Sequence, residues 1–466
     1  MKKTLSIILC LALVFAIAGC SSSTEPKAIA LEEAKELLAD AYIFTLPLMM
    51  TDATYVKATN TVKTTDKQAP ENQFIHTKNL ATANFKDVVT PNVDTVYSQI
   101  FLQLEKDAVI LEFPKTERFC TVQIIDAYTN CIDILDATEF ENDTEKFIFT
   151  SSSFSGEIPE GMTEIKSPTN LVWIIVRTIC HSPEDLENVH EIQSKMDSYT
   201  LTQYKNGTTN EKPDGTFDEN NNFIPSQHVL SLSMQEYFDK ANILLSKNPP
   251  FEADTEMVER IAKINVGAGL NFDSSIFGES ADEIWKELSA GITKRVTEGS
   301  AQFMTKNGCW SYMGAPIAEF GTEYDYRALI AIMGLGANPV SVAVYPKTDI
   351  DSEGNPLNGE NKYVLHIEKD EFPPTEELGF WSITIYDQDN FLIDNEINRY
   401  CINDRSDLKF NEDGSLDIYI QSEKPEENLS NWLPTCEGDF HLVLRVYLPE
   451  ESVKNNTWKA PIINKQ

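Results

Sequence analysis

The chain has 466 residues, 41% of them hydrophobic and 10% aromatic, and 73 acidic against 38 basic residues leave a formal net charge of −35. A chain of this length exceeds one hydrophobic core, and its apolar content excludes general disorder, so two or three folded domains are expected. So anionic a surface repels phosphate backbones and acidic headgroups, which argues against nucleic-acid binding and leaves a covalent or apolar route onto a membrane.

The first element has the layout of an export signal. Lys2 and Lys3 precede an apolar run over 5–18, too short to span a bilayer. The run closes in Ile17-Ala18-Gly19-Cys20, which resembles the bacterial lipobox. That resemblance implies cleavage after 1–19 and acylation of Cys20, with 20–30 as a tether. Two or three acyl chains, at roughly 0.8 kcal/mol per buried methylene, hold such a protein to a membrane. An ordinary signal peptide releasing a soluble protein is the alternative. Removing Cys10 and acylating Cys20 leaves six of the eight cysteines. Export permits disulfides, and Cys120 with Cys131 is the one candidate pair, although isolated buried thiols suit a chain this large.

Helical spacing of Leu31, Ala34, Leu37, Leu38 and Ala41 predicts a helix that Pro47 ends or kinks. Residues 51–86 carry mixed signals. Strands follow at 96–104, 108–113, 120–126, 131–135, 146–150 and 171–180, the last apolar throughout except for Arg177. Together 31–200 form an N-terminal domain, β-rich with helices. Ser182-Pro183-Glu184-Asp185 opens a further helix. Residues 201–224 are a polar loop. Residues 225–340 are mainly helical, with a capping box at Ser233–Glu236 and helices near 255–264, 281–303 and 326–335. From 341 to 466 short strands at 342–345, 363–368, 381–386, 408–410, 416–421 and 440–447 alternate with turns. The fold class expected is α+β multidomain, with two antiparallel β-sandwich (jelly-roll-like) regions around a helical middle segment.

Two runs of residues carry a family resemblance. Thr90-Pro91-Asn92-Val93-Asp94-Thr95-Val96-Tyr97-Ser98, with the stretch from Gln123 to Asn130, resembles the bacterial domain of unknown function 1254. Arg327, the run from Gly334 to Asn338, Tyr345 and Phe380-Trp381-Ser382-Ile383-Thr384-Ile385-Tyr386-Asp387 resemble its companion, domain of unknown function 1214. Asn398-Arg399-Tyr400, Arg405, Ser430-Asn431-Trp432 and Trp458 continue that second match. The resemblance implies two sandwich regions with helices between and beside them, and assigns no activity.

The candidate chemistry lies in two polar clusters at strand ends of one sheet, Asn92/Asp94/Thr95/Tyr97 and Asp126/Tyr128/Thr129/Asn130. Asp94 and Asp126 would make an acid–base pair over a common cleft; strand-end Asp and Asn also simply accept hydrogen bonds from turn backbone. Tyr97 and Tyr128, with Asn92 and Asn130, suit a pocket for a sugar or small ligand. Arg327 lies in an apolar helix and Arg399 and Arg405 in a polar loop, either as structural ion pairs or as clamps on an acidic ligand. The Asp349–Glu360 spacing fits a calcium loop formally, but strands rather than helices flank it, so a hairpin turn is expected. No metal set or cofactor motif is expected elsewhere. Three readings result: an envelope lipoprotein binding an extracellular small molecule or glycan, a hydrolase using Asp94 and Asp126, or a scaffolding protein.

Overall fold

The computed structural model describes residues 29–86 and 88–466; the expected signal segment, Cys10 and Cys20 lie outside them. The helix Leu31–Thr59 continues past Pro47 rather than ending there. A mid-helix proline costs about 3 kcal/mol. Here Phe44, Leu46 and Leu48 are all 0% exposed. Burying each such side chain returns about 1.5–3 kcal/mol, enough to hold the helix through the proline.

The N-terminal sandwich pairs two sheets. One runs Ile75–His76, Thr95–Gln103, Leu171–Ile179, Cys120–Asp126, Cys131–Asp136, antiparallel throughout. The other runs Thr163–Lys166, Thr144–Thr150, Val109–Pro114, Asp197–Thr200, with one parallel pair at its edge. Alternation sends Ile100, Leu102, Val122, Ile124, Val172 and Ile174 inward against Val109, Leu111, Phe113, Phe147 and Phe149.

The opposite face of the first sheet is shared between two partners. At one end Phe101, Ile125, Trp173 and Ile175 pack on a helical layer built from Leu31–Thr59, Met234–Lys247, Ala281–Gly299 and Tyr324–Met333. At the other end Phe119 and Ile179 pack on Phe380 and Tyr447 of the C-terminal domain. The expected capping box forms, Ser233 and Glu236 each bonding the other's backbone N–H.

One expectation is extended and two need correction. The mainly helical middle also holds a hairpin, Met304–Asn307 with Trp310–Met313, which joins the C-terminal sheet at Ser311 opposite Lys347. The polar loop opens with a short helix, Leu201–Asn206. No strand forms at 408–410: the Asn431 side chain binds both the N–H and the C=O of Lys409, at 2.9 and 2.8 Å, standing in for a neighbouring strand.

In the C-terminal sandwich the hairpin, Lys347–Thr348, Phe440–Pro449, Thr375–Asp387 and Cys401–Asn403 form one sheet. Trp432–Pro434, Leu416–Gln421, Tyr363–Ile367 and Ile462–Lys465 form the other. Trp310, Leu365, Trp381, Ile383, Ile418, Leu442 and Leu444 fill the space between them. Among the described residues no helix is long and apolar enough to cross a membrane. Cys120 and Cys131 are not bridged, and their strands pair in a register that sets Cys131 opposite Ile125.

Candidate functional site

The stretch Thr90 to Ser98 is a wedge driven into the C-terminal sandwich. The Asn92 side-chain oxygen Oδ1 accepts the Asp94 and Thr95 N–H groups at 2.6 and 3.2 Å, a local turn that also fixes its side-chain amide. That amide donates to Tyr447 Oη at 2.6 Å, Thr95 Oγ1 at 3.1 Å and Tyr97 Oη at 3.2 Å. Asp94, 1% exposed, accepts Ser382 Oγ at 2.5 Å and Arg405 Nη2 at 2.8 Å. Tyr386 Oη donates to the Pro91 carbonyl at 2.6 Å, and Arg445 Nη2 bridges Tyr386 Oη and the Thr90 carbonyl. Burial pushes the Tyr386 hydroxyl up to about 12, so it stays a donor.

A second node stands beside the wedge. Arg177 projects from its apolar strand and donates to Gln123 at 2.6 Å, Asn338 at 2.8 Å and the Gly336 carbonyl at 2.9 Å. Asn338 passes the contact on to Tyr345 Oη at 2.7 Å. Gly336 has φ +79°, and a Cβ there would lie 2.9 Å from Ile175, so the loop reaches the sheet only as glycine. Asn92, Tyr97 and Tyr345 are half-buried, while Arg177, Gln123 and Asn338 are dry. Arg177 and Arg445 were missing from the candidates, although a lone charge in an otherwise apolar strand is the signal that marks each.

The junction opens to solvent at Arg405. Its guanidinium lies 4.5 Å from the centre of the Phe380 ring and holds Asp404 at 2.6 Å as well as Asp94. Asp404 borders a cleft of about 220 Å³ with Phe372, Trp381, Ser406, Leu408 and Phe410. Burial raises the Asp404 carboxyl to about 6, with Arg405 pulling down and Asp94 pushing up. A second hollow, of about 230 Å³, lies in the helical layer beside the Asp52–Lys240 ion pair.

The Thr90–Ser98 stretch and the Phe380–Asp387 strand fall inside two family models, whereas Arg327, Gly334–Asn338 and Trp458 lie outside both. Residues 71–200 match a protein of unknown function (DUF1254), and residues 342–451 match another (DUF1214). The chain belongs to the family that joins DUF1254 to DUF1214. No curated protein matches it. The crystal structure of the VPA0106 protein from Vibrio parahaemolyticus shares the fold, with TM-score 0.68 and 21% identity over 92% of this chain and 99% of that one. An uncharacterized protein from Burkholderia cenocepacia aligns over 94% of this chain and 93% of its own, with TM-score 0.44 and 10% identity. The motif of DUF1254 therefore binds the motif of DUF1214, Asp94 to Ser382 and Pro91 to Tyr386.

The second cluster of DUF1254 lies at the far end of the same sheet. Thr95 is opposite Ile179 and Asp126 opposite Val172 on the shared strand, a seven-residue offset, or about 23 Å at ~3.3 Å per residue. The expected acid–base pair of Asp94 and Asp126 is therefore not brought together. Both strands flank one antiparallel neighbour and so run parallel, with Asp94 entering one and Asp126 leaving the other. Asp126 closes its own turn, accepting Tyr128 N–H at 2.8 Å, Asn130 N–H at 2.9 Å and the Asn130 amide at 2.9 Å. Burial raises its carboxyl to about 6, against those bonds and the charge of Arg327. Tyr128 Oη donates to the Asn248 carbonyl at 2.7 Å.

The remaining arginines separate by partner. Arg399 donates to the Leu429, Ser430 and Trp432 carbonyls and staples a loop. Arg327 is 0% exposed, and none of its three nitrogens has a hydrogen-bond partner. Each unmet buried donor costs about 1–3 kcal/mol, more when charged. The Asp349–Glu360 segment does not form the expected hairpin between its flanking strands: Lys347–Thr348 and Tyr363–Ile367 lie in different sheets. The segment crosses between them through a local turn in which Ile350 bridges Pro356 and the Asp351 carboxylate accepts the Glu353 and Asn355 N–H groups. Among the described residues no group of three or more His, Cys, Asp or Glu is placed to hold a metal ion.

Proposed function

We propose that the chain is a binding protein that takes a hydroxylated ring, a sugar unit or a small molecule of that size, in the cleft between Trp381 and Phe410. The observation that carries this reading is an aromatic-lined cleft with one carboxylate, Asp404, held by the arginine that bridges the two domains. About 220 Å³ is below the 300–1,000 Å³ or so of a drug-sized pocket, so it suits a single ring. Phe372 and Phe410 offer apolar faces, and Asp404 accepts a hydroxyl. Because Arg405 is tied to Asp94 and Ser382 is tied to the same carboxylate, the cleft wall is set before a ligand arrives, which lowers the ordering cost of binding. Hydrolysis is less favoured. It needs a second free carboxylate, and both oxygens of Asp94 are occupied.

Phe410 is 52% exposed, so Phe410→Ala should leave stability nearly unchanged. Titration calorimetry against a panel of monosaccharides and cyclic polyols should show affinity falling about 10-fold or more in the variant. Absence of binding by the wild type across the panel, or equal binding by both proteins, sinks this assignment and leaves the scaffolding reading.

We further propose that the protein is exported and anchored through lipid on Cys20, which supports a role in the cell envelope. The sequence around the cysteine and the length of the preceding apolar run motivate this. Cys20→Ser should move the protein from the membrane fraction to the soluble fraction. Unchanged retention in the membrane would overturn the lipid anchor.

A further inference from the structure

Among the described residues three arginines are buried, and they fare differently. Arg177 and Arg445 each donate through both terminal nitrogens. Arg327, in the helix Tyr324–Met333, donates through none. Its guanidinium is instead ringed by aromatic faces, with Phe44 at 5.5 Å, Tyr128 at 5.4 Å and Tyr324 at 5.2 Å from its central carbon. Ring faces attract a cation, but they do not accept along the N–H directions as an oxygen or halide does.

Nearby carboxylates are committed elsewhere. Asp126 lies within electrostatic reach of Arg327, yet both its oxygens are taken by the Tyr128–Asn130 turn. Asp254 accepts the Tyr324 hydroxyl at 3.1 Å and the Phe251 N–H at 3.1 Å. These groups offset the charge from a distance and leave the donors of the guanidinium open.

We propose that Arg327 is the base of an enclosed small-anion site, taking a halide or a one-carbon carboxylate such as formate. The fork of N–H groups matches a carboxylate edge and also converges on a single halide. Complete burial of the guanidinium limits the ligand to that size. Entry is past Tyr324, the half-buried member of the cage; Phe44 and Tyr128 are 0% exposed. This site is at the Asp126 end of the first sheet, remote from the Asp404 cleft, so it stands or falls separately from the ring-binding proposal.

Crystals of the wild type soaked in sodium bromide test it directly. An anomalous peak at hydrogen-bonding distance from the Arg327 nitrogens is the expected result. A water there, or no peak where surface bromides are seen elsewhere, overturns the proposal. In solution, Tm at fixed ionic strength should rise by a few degrees when gluconate is replaced by bromide or formate. Arg327→Met, similar in volume, should abolish that rise, and Arg327→Lys should weaken it. An equal rise in wild type and variants would assign the effect to other sites. Because the soak uses unmodified protein, failure of the Met variant to fold would not shelter the idea.

Discussion

The two ends of the first sheet treat the same residue types in opposite ways. At the Asp94 end a buried carboxylate meets a guanidinium and a hydroxyl from the other domain, and the Pro91 carbonyl and the Asn92 amide are bonded across the junction as well. At the Asp126 end a buried carboxylate is bonded only within its own turn, while a buried guanidinium nearby is left without a hydrogen bond. Asp94 is part of how the two sandwiches are held together. Asp126 holds four residues of one loop, and the open donors of Arg327 are what distinguishes that end as a place for a ligand.

The largest expected effect is at the junction. Asp94→Ala leaves Ser382 without its acceptor and Arg405 with Asp404 alone, and the loss is bounded by the roughly 3–5 kcal/mol that removing one partner of a fully buried ion pair costs. Urea denaturation should show that loss. A change under about 1 kcal/mol would mean that the wedge is not what joins the domains.

Asp126→Asn should act mainly through pH. The Asp126 carboxyl is raised to about 6 in the folded chain, against about 3.9 unfolded. Between pH 4 and 6 the folded state keeps a proton that the unfolded state has released. Stability from this group therefore falls as pH rises through that window, by about 1–3 kcal/mol. Asp404 acts in the same direction. His76 and His441, lowered to about 4 by burial, act in the opposite one. The difference between wild type and Asp126→Asn isolates the one group, and should shift toward the variant as pH rises from about 4 to about 7. If the two pH–stability curves run parallel, Asp126 does not titrate in this range.

Local structure was largely legible in the sequence, and long-range placement was not. Alternating apolar residues located Cys120–Asp126 to the residue, and Ser233 with Glu236 announced the start of a helix. Both signals are written within a few residues. That Asp94 and Asp126 sit at opposite ends depends on the strand Leu171–Ile179 pairing antiparallel with both of theirs, and no local pattern encodes that. The cleft was equally hidden, because Phe372 and Phe410 come from separate loops and Trp381 from a strand. The unit at Lys409 and Asn431 failed for another reason: a side-chain amide did the work of a strand.

The smallest expected effect concerns one residue in each turn. Thr90 and Thr129 both adopt left-handed backbone, with φ of +51° and +71°, which costs a residue bearing a Cβ about 1–2 kcal/mol. Thr90 is held there by its N–H to the Asn390 carbonyl at 2.7 Å and by Arg445 on its own carbonyl. Thr129 is 5% exposed, and its hydroxyl has no partner. Glycine removes the strain at both positions and loses about 0.5–1 kcal/mol in chain entropy. At Thr129 it also removes the orphaned hydroxyl, so Thr129→Gly should stabilise by about 1 kcal/mol. Thr90→Gly should change stability by less than half of that, measured by the same urea titration. A destabilised Thr129→Gly protein would show that the hydroxyl has a bonding partner, and would draw that turn into the site around Arg327.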